Sequence, residues 1–185
     1  MSDQPVSKPQ LHFLAISGSL RAVSSNTTLL RAAARLAPDS VTITLYPSVA
    51  DLPHFNPDLD AEGAEPPVSV ADFRRRLRAA DAVLICSPEY AHGVPGSLKN
   101  ALDWVVGTGE FMHKPVALIN ASATSTHAQA SLIETLSTMM AEVSATRVPL
   151  RSNKVELDAL LVDPETSRVL RQVVESLVVA ISAQP

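Results

Sequence analysis

The stretch SGSLRAVSSN, residues 17–26, concentrates groups that bind anions. It supplies four serine hydroxyls, the Arg21 guanidinium and the Asn26 amide just before a predicted helix. The first N–H groups of a helix lack intrahelical partners, and a guanidinium pairs well with phosphate oxygens. The stretch therefore predicts a phosphate site. The simpler alternative is an ordinary helix cap at Ser24 or Ser25 beside a solvated arginine.

A second stretch, SPEYAHGVPGSLKNALDW at residues 87–104, follows the apolar run 82–86. Pro88 and Pro95 stiffen it, and Gly93 lets a flat ligand approach the backbone. Open α/β sheets hold ligands in such loops at the carboxyl ends of their strands. We expect Tyr90 to cover an aromatic ring and Glu89 to tie the loop to itself or to another chain. The alternative is that these residues serve only packing and turn formation.

Several rival sites are excluded. The chain has no G-x-x-x-x-G-K-[ST] motif, and Gly18 is the only glycine near the first loop, so a P-loop and a Rossmann fingerprint are absent. Cys86 is the single thiol, and its position at the end of an apolar run predicts a core residue. The five histidines share no metal-ligand spacing with a cysteine or a carboxylate pair, so no metal site is predicted. We expect one of them, His127, to be exposed to solvent.

Strand and helix patterns alternate along the chain, which predicts a parallel sheet covered on both faces. The predicted strands are 11–16, 41–46 (half exposed, near an edge), 82–86, 116–119 and a last strand near 146–157 interrupted by Pro149. The predicted helices are 26–37, 70–80, one from residue 96 to 106, one from 132 to 143 and one from 169 to 181. The expected fold class is α/β, a flavodoxin-like doubly wound five-stranded parallel sheet of order 2-1-3-4-5, with helices on both faces.

Composition restricts the possible classes of function. The chain of 185 residues has a formal net charge of −4, so nucleic acid is not expected as a partner. A single cysteine permits no intrachain disulfide, and neither a signal peptide nor a membrane span is predicted, which favours the cytoplasm. Residues 1–10 are expected to form a flexible tail, and residues 11–185 a single domain.

The two stretches together carry a resemblance to a known family. GSLRAVSSN fits G-S-x-R-x-x-S-x-N, and PEYAHGVPGSLKNALDW fits P-E-Y-x-x-G-x-P-G-x-L-K-N-A-x-D-W. In this order they resemble the NAD(P)H-dependent FMN reductases, a flavodoxin-like group that includes quinone, chromate and azo-compound reductases. The resemblance extends from about residue 11 to 142 and implies FMN as cofactor, with NADPH or NADH as hydride donor.

The resemblance also implies site residues. The FMN-binding residues would be Ser19, Leu20, Arg21, Ser24 and Asn26, chiefly at the phosphate, Pro88, Glu89, Tyr90, Ala91 and Gly93 at the isoalloxazine ring, and Ser122 at its pyrimidine edge. Two departures stand out. Ala91 occupies a position that is often Asn in the family. Residues 120–127, which follow the fourth strand, contain no glycine where the family usually has several, so this loop is expected to differ in shape.

The chemistry implied is a ping-pong transfer from nicotinamide to FMN and then to a small-molecule acceptor such as a quinone, free flavin, azo compound or metal oxyanion. No side chain is expected to be catalytic, because flavin performs the difficult step. Relatives of this kind imply a homodimer or homotetramer, with contacts expected at residues 109–112 and with Trp104 in packing or at an interface. Two alternatives stay open: a flavodoxin-type electron carrier, and an FMN-binding protein without turnover.

Overall fold

The computed structural model describes residues 10–61, 63–150 and 155–184. Five parallel strands form one sheet in the order β2-β1-β3-β4-β5. They are β1 (Leu11–Ser17), β2 (Val41–Leu45), β3 (Ala82–Cys86), β4 (Pro115–Asn120) and β5 (Glu142–Arg147). The predicted flavodoxin-like sheet, its order and the edge position of the second strand are confirmed.

Six α-helices among the described residues connect and cover the strands. They are α1 (Ser25–Leu36), α2 (Val68–Ala79), α3 (Gly96–Asp103), α4 (His127–Thr138), α5 (Leu157–Val162) and α6 (Pro164–Ser182). The proline-rich segment before α2 contains two short 3₁₀ turns, Val49–Asp51 and Pro57–Leu59. No helix within the described part of the chain has the length and apolar character needed to cross a bilayer.

The alternation of side chains in the central strands divides the core into two layers. Leu14 and Ile16 of β1 pack with buried residues of α2, α3 and α4. Phe13 and Ala15, on the opposite face, pack with α1, α5 and α6. Strands β3 and β4 are buried along their whole length. Two covered faces and short parallel strands fix where the loops after β1, β3 and β4 emerge, which is at the carboxyl edge of the sheet.

The fourth helix ends earlier than the sequence pattern predicts. Thr138 is its last residue, and Val143, predicted on the helix, lies in β5. The helix stops in a Schellman motif, in which Ala141 N–H donates to the Leu136 carbonyl at 3.0 Å and Met140 N–H to the Ser137 carbonyl at 2.9 Å. Met140 holds the left-handed position of this motif, with φ 62°, where glycine is usual. Without that glycine the sequence gives no stop signal.

The last strand lies earlier in the sequence than the pattern predicts. β5 covers Glu142–Arg147, and α5 occupies part of the predicted strand. Residues 151–154 of that prediction lie outside the described residues. Val148 and Leu150 N–H groups still donate to Asn120 and Ala121 carbonyls, at 2.8 and 2.9 Å, on either side of Pro149. Proline therefore sits at the edge strand's end, where it costs no ladder bond.

The segment expected to contact a neighbouring chain is mostly used within this chain. Phe111 is fully buried, and the buried Glu110 carboxylate accepts a hydrogen bond from Arg78 at 2.7 Å. Trp104 is also fully buried, and its indole N–H donates to the Pro53 carbonyl at 2.8 Å, so it is a packing residue. Of residues 109–112, only Met112 presents an exposed apolar side chain.

Candidate functional site

The loops after β1 and β3 touch at Gly18. Its N–H donates to the Cys86 carbonyl at 2.9 Å. A Cβ at position 18 would lie 2.4 Å from the Ser87 hydroxyl oxygen, 2.9 Å from Ser87 Cβ and 3.0 Å from a Leu98 methyl. Glycine is needed here because the two loops approach too closely for any side chain.

Helix α1 begins directly after the first loop, with Ser24 as its N-cap. The Ser24 hydroxyl accepts a hydrogen bond from Thr27 N–H at 3.4 Å, so the capping interpretation is confirmed at Ser24. Asn26 is buried, and its carbonyl oxygen accepts a hydrogen bond from the Cys86 thiol at 3.2 Å. Both side chains thus have partners inside the chain. Their backbone N–H groups lie at the positive end of α1.

Hydroxyl groups shape the rest of the first loop. The Ser17 hydroxyl oxygen accepts from Ser19 N–H at 3.2 Å and from the Thr27 hydroxyl at 2.9 Å. The Ser19 hydroxyl oxygen accepts from Arg21 N–H at 3.4 Å. The Arg21 guanidinium is exposed and has no ion-pair or hydrogen-bond partner among the described residues. It is available to a bound anion.

A cavity of about 330 Å³ opens beside this loop, on the β2 side of β1. Predicted site residues on its wall are Ser19, Leu20 and Arg21; the sequence reasoning missed Thr27, Arg31 and Ser48. The sequence contains two features that could have indicated Thr27, Arg31 and Ser48. Thr27 and Arg31 are four apart on α1 and share a face, and Ser48 follows the strand that neighbours β1. Ser24 and Asn26 are not part of this wall.

The loop after β3 contains a strained turn at residues 90–93. Tyr90 and Gly93 exchange backbone hydrogen bonds at 3.1 and 2.8 Å. Between them Ala91 and His92 have φ values of 49° and 60°. Two successive left-handed residues characterise a type I′ turn, for which Asn-Gly is the favoured pair. The expected freedom of Gly93 is not what makes the turn, because the positive φ angles belong to the two residues before it.

The surface of this turn is accessible. Tyr90 is 54% exposed. A Cβ at position 93 would meet only the Tyr90 carbonyl oxygen, at 3.5 Å, so the open side of Gly93 faces no other part of the chain. The arrangement leaves room for a ring to approach the backbone here.

Glu89 joins the loops after β3 and β4. Its carboxylate accepts a hydrogen bond from Ala128 N–H, in the first turn of α4, at 2.8 Å. This bond, helped by the positive charge of His127 and His92 when protonated, lowers the pKa of the Glu89 carboxyl. His92 and His127 stack with ring centroids 4.2 Å apart. His127 is exposed, as expected.

The glycine-free loop after β4 is closed by side chains. The Asn120 amide donates to the Ser125 carbonyl at 2.7 Å and to the Gln129 side chain at 2.9 Å, and its oxygen accepts from Ser122 N–H at 2.9 Å. The Ser122 hydroxyl oxygen accepts from Thr124 and Ser125 N–H at 3.2 and 3.1 Å. No residue from 120 to 127 has a positive φ, so this loop has no need of glycine.

Beneath these two loops lies a small cavity of about 20 Å³, with Ser87, Glu89 and Asn120 among its lining residues. It has room for about one water molecule. A flat ligand therefore has to lie over the loops and not between them.

Cys86 lies in the core, as predicted. It is fully buried, and burial raises the pKa of its thiol well above the usual range. A neutral, inaccessible thiol is a poor nucleophile. In the part of the chain that the structure covers, no group of three or more His, Cys, Asp or Glu side chains is placed to hold a metal ion.

Comparison with known proteins agrees with this geometry. A family model described as NADPH-dependent FMN reductase matches residues 11–154. An NAD(P)H-dependent FMN reductase of Pseudomonas aeruginosa is 43% identical over 112 residues, which is 60% of this chain and 59% of that protein. An NADPH:quinone oxidoreductase of Arabidopsis thaliana is 43% identical over 116 residues, 61% of this chain and 59% of that protein. The matched segments thus span about six-tenths of these relatives.

Among solved structures, the chain resembles FerB, a flavoenzyme NAD(P)H:(acceptor) oxidoreductase from Paracoccus denitrificans. The TM-score is 0.74 and the sequence identity 29%. The match covers 93% of this chain and 97% of that one. The similarity extends over nearly the whole fold described above.

Proposed function

We propose that this chain, which belongs to the NADPH-dependent FMN reductase family, binds FMN and uses NADPH or NADH to reduce it for a small acceptor such as a quinone. One observation carries the proposal. An unpaired arginine in the loop before α1, a strained turn with an open backbone and a hydrogen-bonded loop follow β1, β3 and β4 at the carboxyl edge of the sheet. This edge is where open α/β sheets hold nucleotides.

The first loop suits the FMN phosphate. We assign the phosphate to the first-turn N–H groups of α1, the Ser19 hydroxyl and the Arg21 guanidinium. The hydroxyl oxygen of Ser19 accepts one N–H group, which leaves its proton free to donate. For Ser24 and Asn26 we propose a backbone role, because their side chains already have partners within the chain.

The second and third loops suit the ring. Pro88, Tyr90, Ala91 and Gly93 would lie along the isoalloxazine, with the exposed face of Tyr90 beside it. Glu89 acts through the loop it fixes, since its carboxylate is held by Ala128 N–H. For Ser122 we propose a contact at the pyrimidine edge of the ring; its hydroxyl oxygen already accepts two N–H groups, and its hydroxyl lies 3.4 Å from the Thr124 hydroxyl.

Bound FMN would supply the redox chemistry, taking a hydride from the nicotinamide and giving electrons to the acceptor in turn. The protein's part is to bind, orient and expose one face of the ring. The Cys86 thiol is not accessible for covalent chemistry at this site, because Cys86, the last residue of β3, is fully buried. The network of Asn120 and Ser122 gives the glycine-free loop a defined shape beside the proposed ring site.

Steady-state kinetics test this proposal. Under anaerobic conditions the FMN-loaded protein should turn over NADPH beyond one equivalent per flavin only when a quinone is supplied, and double-reciprocal plots at several quinone concentrations should be parallel. A flavodoxin-type carrier or a protein without turnover would bind FMN yet leave NADPH unconsumed, which would refute the proposal.

The proposed enzyme works as a homo-oligomer. Val106 and Met112, in the turn after α3, are 56% and 53% exposed, and paired subunits would cover such apolar side chains. Light scattering at micromolar concentration should give a mass of at least two chains. A monomer alone would contradict this part of the proposal.

A further inference from the structure

We propose that the cavity between the loops after β1 and β2 is a second phosphomonoester site, which receives the 2′-phosphate of NADPH, and that Arg31 sets a preference for NADPH over NADH. The inference rests on the proposed function, because it names the nucleotide that this site selects.

The wall of the cavity is cationic and rich in donors. Arg21 and Arg31 both line it, both are exposed, and neither guanidinium has a partner among the described residues. Ser19 and Ser48 also line it. Each of these hydroxyl oxygens accepts one backbone N–H, at 3.4 and 3.1 Å, so each keeps its proton for a ligand. None of the described residues on this wall is acidic.

Neither the Arg21 nor the Arg31 guanidinium has an acidic partner on this wall, and the FMN phosphate proposed for Arg21 still leaves Arg31 unpaired. Three arginines of α2, by contrast, are paired with carboxylates. Arg74, Arg76 and Arg78 each have a carboxylate within 2.7 Å. A second phosphomonoester dianion would supply the charge that Arg31 lacks and accept from its guanidinium and from the Ser48 hydroxyl, while Arg21 and Ser19 hold the FMN phosphate.

The FMN phosphate does not account for Arg31. That phosphate is assigned to the first turn of α1, where N–H groups and Arg21 are available. Arg31 comes six residues after Ser25, about 9 Å further along the helix axis. It lines the cavity beside Ser48, on the β2 side of β1, whereas the strained turn after β3 lies on the other side. FMN has one phosphomonoester, and the second available in the reaction is the 2′-phosphate that NADPH has and NADH lacks.

The first arm of the test measures selectivity. Arg31→Gln removes the charge at the cavity, and Arg35→Gln removes the same charge one turn further along α1, from an exposed arginine outside the cavity wall. Arg31→Gln should lower kcat/KM for NADPH by about 10- to 100-fold and leave the value for NADH within about twofold. Arg35→Gln should change neither value. If the ratio of kcat/KM for NADPH to kcat/KM for NADH is the same in Arg31→Gln as in the wild type, the proposal is overturned.

The second arm needs no turnover. Titration calorimetry of the FMN-loaded protein with adenosine 2′-monophosphate should show binding that adenosine lacks, and Arg31→Gln should weaken it about tenfold or more. Equal binding by wild type and Arg31→Gln would overturn the proposal. So would a loss of FMN affinity in Arg31→Gln with the nucleotide ratio unchanged, since the cavity would then serve the FMN phosphate.

The two proposals fail in distinguishable ways. If neither nucleotide reduces the wild-type flavin, the proposed function is wrong, while the calorimetric comparison still decides whether Arg31 binds a 2′-phosphate. If both nucleotides reduce the flavin and Arg31→Gln leaves their ratio unchanged, the function stands and the assignment of this cavity is wrong.

Discussion

The Glu89 carboxylate accepts a hydrogen bond from the backbone N–H of Ala128 at 2.8 Å. A residue in the loop after β3 thereby provides the acceptor for an N–H group in the first turn of α4, which has no partner within the helix. The two residues are thirty-nine positions apart in the chain. The bond holds the two ring-facing loops of the proposed flavin site in one arrangement. It also makes that arrangement dependent on the charge of one carboxylate.

Glu89→Gln should destabilise the protein at neutral pH and lose this effect in acid. The lowered pKa of Glu89 means that its ionised form stabilises the folded state at pH values above the ordinary glutamate pKa, about 4.3. That stabilisation is lost as pH falls through the lowered pKa. The gap in melting temperature between wild type and Glu89→Gln should therefore be widest near pH 7 and narrow below about pH 4.

Glu134→Gln is the matched control for this experiment. Glu134 is an exposed carboxylate on the same helix with no hydrogen-bond partner in the described part of the chain. Its substitution should change the melting temperature little at pH 7. A gap for Glu89→Gln that stays constant from pH 7 to pH 3 would contradict the role given to the Glu89 charge.

Ala91→Gly should stabilise the protein. A left-handed backbone strains alanine, and glycine relieves that strain at some cost in chain entropy, so the free energy of unfolding should rise by about 0.5–1 kcal/mol. Urea denaturation measures it. Ala123→Gly is the control, because Ala123 is exposed in the next loop and has no positive φ. Ala123→Gly should lower the free energy of unfolding. If Ala91→Gly lowers it as well, Ala91 is not strained.

Arg21→Ala should weaken FMN binding by about 1.5–3 kcal/mol, the range of a hydrogen bond to a charged group. Riboflavin lacks the phosphate, so its affinity should be unchanged by the substitution. Flavin fluorescence titrations with both ligands make the comparison. Equal losses for FMN and riboflavin would show that the substitution damages the site as a whole and that Arg21 does not hold the phosphate.

Asn120→Asp should loosen the loop after β4 without removing its turn. Aspartate keeps the oxygen that accepts from Ser122 N–H but has no amide to donate to Ser125 and Gln129. Hydrogen exchange should quicken in residues 121–126, and the free energy of unfolding should fall by about 1–3 kcal/mol. Unchanged exchange in this loop would mean that other contacts hold it.

The sequence predicted the sheet because its central strands are buried on both faces and therefore appear as unbroken apolar runs. It failed where stop signals were unusual. Met140 holds a position in which glycine normally ends a helix, so α4 was extended and β5 displaced. The six-residue helix α5 is too short to reveal a helical period.

The candidate site likewise has parts that the sequence predicts and parts that it does not. The stretches at 17–26 and 87–104 were recognisable because each combines unusual residues at fixed spacing. Arg31 and Ser48 were missed because each is an isolated residue outside both stretches, and its place beside the first loop follows only when the helix face and the strand order are considered together. The closure of residues 120–127 was also unpredictable, since a side-chain network replaces the expected glycines and leaves no local signature.

Reductase activity is tested most directly by an anaerobic absorbance trace of the purified, FMN-loaded protein after addition of NADPH. We predict that the oxidised flavin band bleaches within seconds and returns when a quinone is added. A flavin that stays bound and oxidised for minutes in excess NADPH and excess NADH would contradict the assignment of reductase activity to this site.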